Sequence, residues 1–101
     1  MDKLEFINKS LGEEELLCQL AEEAAELTQA ALKLRRCING ENPTPVKLED
    51  AENNLTEELA DVRLVAQTLR RWSERADEID AIAERKTARW AQRIEEAQHE
   101  S

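Results

Sequence analysis

An all-α fold is predicted by three features of this 101-residue sequence: its composition, two long runs in which apolar residues recur at steps of three and four, and turn-forming residues gathered in one short stretch. Two Gly, two Pro and three aromatics stand among many Ala, Leu, Glu and Arg, residues of good helix propensity with little β-branching. The length allows one domain, 1–101, and a domain this small buries only about 60–65% of its unfolded surface. Three main helices with short connections make half of a bundle. Two chains pairing their apolar faces complete a four-helix-type core, so the expected assembly is a homodimer or a tetramer.

The elements follow from periodicity. Leu4, Phe6, Ile7 and Leu11 suggest a short leading helix, about 2–10. After Gly12, the positions Leu16, Leu20, Ala24, Leu27, Ala31, Leu34 and Ile38 mark one face of a long helix over about 13–38. Asn39, Gly40, Asn42, Pro43 and Pro45 then supply C-cap and turn chemistry, because the prolines lack donors that a continuing helix needs. Leu48, Ala51, Leu55, Leu59, Val62, Ala66 and Leu69 describe a second long helix, about 47–73. A third, about 77–96, has Asp77 as its cap and Ile79, Ile82, Ala83, Trp90, Ile94 and Ala97 on or near one side, with fraying past Glu95.

The formal net charge of −9 argues against duplex nucleic acid, which requires a surplus of Lys and Arg along one surface. A free nucleotide is a different case, since divalent cations neutralise carboxylates and phosphates together. Residues 1–11 mix charges with apolar residues, unlike a signal peptide, and no run approaches membrane-spanning length. Cys18 and Cys37 fall on one predicted helix about 28 Å apart, too far to bridge. Both read as reduced, packing thiols of a cytoplasmic protein.

The informative residues are acids beside the apolar stripes. Advancing about 100° per residue from Leu20, Glu23 lies about 60° from the stripe's centre and Glu26 about 120° away on the same side. From Val62, Glu58 lies about 40° off and Asp61 about 100° off, again on one side. Glu22 and Glu57 face away. Two helices thus each carry an acid at the stripe's margin and a second acid three residues on, and both pairs can face one space between helices.

Burying an unpaired carboxylate costs several kcal/mol, against a total stability of about 5–15 kcal/mol, and four together also repel one another. A hard dication compensates: Mg²⁺, or Mn²⁺, prefers oxygen ligands and keeps positions for water and phosphate. One His and two ill-placed thiols make zinc the poorer fit. The plain alternative is that E-x-x-E on a helix is a solvated face making weak ion pairs.

At these residues the sequence resembles the MazG-like family of all-α nucleotide pyrophosphohydrolases, whose signature is E-x-x-E on one helix and E-x-x-D on the next. Here the two halves read Glu22-Glu23-Ala24-Ala25-Glu26 and Glu57-Glu58-Leu59-Ala60-Asp61-Val62, and the likeness runs from about Leu16 to Ile94, including Lys86-Thr87-Ala88-Arg89-Trp90. The resemblance implies an Mg²⁺-dependent enzyme that hydrolyses a nucleoside or deoxynucleoside triphosphate to the monophosphate and pyrophosphate. It implies Glu23, Glu26, Glu58 and Asp61 as metal ligands, with Glu23 or Glu26 as the proton acceptor, and Lys86 and Arg93 as phosphate-binding cations. Trp72 and Trp90 read as core or interface residues. The connection from Leu27 to Glu57, 31 residues, is longer than is usual for the family. Related alternatives are a phosphoribosyl-ATP pyrophosphohydrolase and a dimeric dUTPase. An alternative of another class is a non-catalytic helical interaction module.

Overall fold

Asp2 opens the chain's first helix by accepting the Glu5 backbone N–H on its side chain at 2.9 Å. The structure, a computed structural model, describes residues 2–41 and 46–100. Its helices are α1 (Lys3–Leu11), α2 (Glu13–Asn39), α3 (Leu48–Thr68), α4 (Arg70–Glu74) and α5 (Ala76–Glu100), and no strand occurs among the described residues. The all-α class and the three long helices expected from the periodicity are therefore present.

Gly12 makes the corner between α1 and α2 at φ +85°, ψ 160°, a conformation open to glycine and very costly for other residues. Gly40 ends α2 in the left-handed region, at φ +75°. Its N–H returns to the Arg36 carbonyl, as does that of Glu41 at 3.1 Å, which takes up a carbonyl the helix end leaves unpaired. Asn42, Pro43 and Pro45, also assigned to this turn, lie outside the described residues.

The chain divides into two units, Met1–Arg70 and Arg71–Ser101. In the first, α2 and α3 form an antiparallel pair. Glu13, at the start of α2, reaches Arg70 just past the end of α3, Glu23 meets Glu58 midway, and the Cys37 thiol lies 3.8 Å from the Val46 carbonyl. The seam is lined by Leu16, Leu20, Glu23, Leu27, Ala30 and Leu34 from α2 and by Ala51, Leu55, Glu58, Val62 and Val65 from α3, all buried or half-buried. Leu16, Ala30 and Ala51 are each only 2% exposed. Of the α2 stripe, Leu16, Leu20, Leu27 and Leu34 thus line the seam, while Ala24, Ala31 and Ile38 stay exposed and Glu23 and Ala30 take their side, a small rotation of the face. Ile38 stays 70% exposed and Leu59, drawn into the α3 stripe, 53%.

Two expected boundaries are corrected. The second long helix does not run to residue 73: it stops at Thr68, Leu69 is extended (φ −69°, ψ 139°), and the chain re-enters a helix at Arg70. The third begins at Ala76, so Asp77 sits inside the first turn, where its charge meets the positive end of the helix dipole. At its other end α5 continues to Glu100, past the expected end near residue 96. In the second unit the Arg75 guanidinium pairs with Glu78 at 2.8 Å and holds that carboxyl below its usual range. Ile79 and Ile82 are half-buried, while Trp90 is exposed.

Candidate functional site

Glu23 and Glu58 enter the α2–α3 seam because each shares a helical face with the residues that pack there: Leu16, Leu27 and Ala30 for Glu23, Ala51, Val62 and Val65 for Glu58. Both are half-buried. Glu26 and Asp61, three residues further along each helix, turn to one side of the seam, Glu26 exposed and Asp61 half-buried.

Each of Glu23, Glu26 and Glu58 offers a carboxylate oxygen within 4.8 Å of the others'. Asp61 is near enough that its charge acts on Glu23. Glu23 Oε1 accepts from the Gln19 side-chain amide at 2.9 Å. The other oxygen, Oε2, is buried without a hydrogen-bond partner, and so is Glu58 Oε2. Burial pushes the Glu23 carboxyl above its ordinary value. The Gln19 hydrogen bond opposes that shift, while the nearby charges of Glu26 and Asp61 and a hydrogen bond with Glu26 add to it.

Gln19 was not among the residues singled out by sequence, although its i, i+4 spacing to Glu23 on the same face was a usable signal. Lys86 and Arg93 lie on α5 in the second unit, and both are exposed. Arg89 is exposed as well.

Chemically, three carboxylates stand close together, two of them have a buried oxygen without a partner, and among the described residues no ion pair to any of the three is seen. Acidic groups on helical surfaces are common without any ion, so proximity alone decides nothing. The unpartnered buried oxygens are the more telling feature, because buried polar atoms nearly always have partners. The donor set is all oxygen, which fits a hard dication and not a thiophilic one.

Four of the apolar residues left open lie on the other side of the seam, whereas Leu32 points away from it and Leu64 falls on Asp61's side. On the helical wheel Leu17 and Ile38 of α2 fall opposite Glu26, and Leu48 and Leu59 of α3 fall opposite Asp61. These four are 48–70% exposed. In an antiparallel pair the like sides of the two wheels coincide, so Glu26 and Asp61 share one side of the hairpin and Leu17, Ile38, Leu48 and Leu59 the other. Among the described residues no helix is long and apolar enough to cross a membrane. Comparison with protein-family models, curated proteins and solved structures yields no match.

Proposed function

We propose that this chain is a metal-dependent nucleotide pyrophosphohydrolase that converts a nucleoside or deoxynucleoside triphosphate to the monophosphate and pyrophosphate. The observation that carries the reading is the meeting of Glu23, Glu26 and Glu58 around two buried oxygens with no partner. Glu23, Glu26, Glu58 and Asp61 would hold Mg²⁺ or Mn²⁺. When bound, the ion supplies neutralisation of phosphate charge and acidification of a water molecule.

The chain's own residues then have distinct tasks. Gln19 fixes one Glu23 oxygen, which leaves the second for the shared space. Glu58 faces Glu23 across the seam and sets the width of the cluster. Glu26, exposed at the rim, and Glu23 are the candidates to accept the proton of the attacking water. Lys86 and Arg93 are the proposed phosphate contacts. The chain would act as a homodimer or tetramer, a reading supported by the open apolar face of Leu17, Ile38, Leu48 and Leu59. That same face favours the second reading, a helical interaction module without catalysis.

A thermal melt with and without Mg²⁺, on the wild type and on Glu58→Gln, separates the two. A metal site predicts that Mg²⁺ raises the wild-type melting temperature and leaves the variant unmoved. Pyrophosphate release from a panel of nucleoside triphosphates then identifies the substrate. Indifference of the wild type to both Mg²⁺ and Mn²⁺ sinks the enzyme reading.

A further inference from the structure

The end of α3 contains no helix-breaking residue. Val65-Ala66-Gln67-Thr68-Leu69-Arg70-Arg71-Trp72 contains no Gly, Pro, Asn or Asp, and Ala, Gln, Leu and Arg all favour helix. The β-branched residues Val65 and Thr68 cost a few tenths of a kcal/mol each, far short of a break. The helix nevertheless stops at Thr68 and resumes at Arg70.

The hydrogen bonds that a continuous helix would make are taken up elsewhere. In such a helix the Arg70 N–H would donate to the Ala66 carbonyl. Here it donates to Glu13 Oε1 at 2.8 Å, and the Ala66 carbonyl instead accepts from Leu69 N–H at 3.2 Å. The Thr68 carbonyl would accept from Trp72 N–H, yet it receives the Asn8 side-chain amide at 2.8 Å. The same Asn8 nitrogen also donates to Glu13 Oε1, which joins the two contacts. The Thr68 hydroxyl donates back to the Val65 carbonyl at 2.6 Å, a local bond that bends helices. The extended Leu69 turns inward and is 9% exposed.

We infer that Glu13 and Asn8, 57 and 60 residues away, form a clasp that breaks an otherwise continuous helix at Leu69, and that releasing the clasp lets residues 48–74 run through as one helix. The break coincides with the boundary between the two units, at Arg70 and Arg71. The clasp is thus a conformational device: the first turn of α2 determines whether the backbone at Leu69 is extended or helical.

The test is the ¹³Cα secondary chemical shift of Leu69, the deviation from its random-coil value, which differs in sign between extended and helical backbone, read in the full-length chain. In wild type it is extended. In Glu13→Ala and Asn8→Ala/Glu13→Ala it is expected to become helical, and in Glu13→Gln, which keeps an acceptor, to stay extended. A second variant guards against simple unfolding. Arg70→Pro removes the N–H that Glu13 accepts, suits the first position of a helix, and needs an extended residue before it, which Leu69 is. Arg70→Pro is therefore expected to keep the break when combined with Glu13→Ala and to restore folding if Glu13→Ala alone loses it. An extended Leu69 in folded Glu13→Ala overturns the inference, and so does failure of Arg70→Pro to rescue an unfolded Glu13→Ala.

Discussion

Gln19 donates its side-chain amide to one oxygen of Glu23 at 2.9 Å, while the other oxygen of that carboxylate is buried with no partner. One residue is thus half satisfied and half exposed to the repulsion of its neighbours, and its chemistry can be read by titration. The folded pKa of Glu23 is raised, so the native state binds its proton more tightly than the unfolded state. The contribution of Glu23 to stability is then fully present at or below the unfolded value of about 4.5 and is lost as pH rises through the folded value. In metal-free protein held in chelator, the melting-temperature difference between wild type and Glu23→Gln is expected to shift against the wild type from about pH 4.5 upward. Gln19→Ala is expected to push the Glu23 pKa still higher.

Glu58→Gln removes one of the facing charges. Without metal the variant is expected to melt at or above the wild-type temperature, because relief of repulsion offsets the changed polar group. With Mg²⁺ at about a hundredfold its dissociation constant, the wild type gains about 2.7 kcal/mol, which is roughly 10–20 °C for a domain of this size. Calorimetry of both proteins with and without the ion checks the pair of shifts.

Leu16 is 2% exposed and Leu59 is 53% exposed, which separates two roles that the same residue type plays. Leu16→Ala is expected to cost about 2–5 kcal/mol in urea unfolding, since it leaves a cavity in a small seam. Leu59→Ala leaves none. If the apolar face is an interface between copies, Leu59→Glu shifts the sedimentation of the protein toward the monomer, while in a protein that is already monomeric it changes nothing.

Gly12→Ala introduces no steric contact, as nothing lies within 4 Å of the added carbon, but it forces a side chain into φ +85°. The expected cost is about 1–3 kcal/mol, and it falls on the corner that sets Asn8 against Glu13. Equilibrium unfolding beside Gly40→Ala, at φ +75° with a nearly flat ψ of 11°, is expected to rank Gly12 as the costlier site.

Much of the fold could be read from spacing. The Leu and Ala steps of α2 and α3 located both helices to within a few residues, and Gly40 marked the end of α2, because helical period and C-cap chemistry are local properties. The break at Leu69 could not be read, since it depends on side chains from positions 8 and 13. The place of Ala30 in the seam, where the stripe has Ala31, escaped for a related reason: a wheel ranks faces by apolarity, whereas packing also rewards small residues that permit close approach. At the site, wheel geometry selected Glu23 and Glu58 as acids near the core, and the structure brings Glu26 to them. Gln19 is legible from its i, i+4 spacing to Glu23, but a wheel read for acids passes over the amides that could hold them.

Ala30 and Ala51 are the two small residues of the seam, each 2% exposed. The register that sets Glu23 across from Glu58 also sets Ala30 across from Ala51, since 23 + 58 and 30 + 51 give the same total. The helices are held at methyl-group distance about two turns from the carboxylates, and interaxial distance follows the side chains at the point of contact. A bulkier residue at either alanine would act as a wedge, tilting the rods so that the acids spread. Under the proposed metal reading, the spread of the ligand oxygens would in this way be gauged by two alanines that never touch the ion.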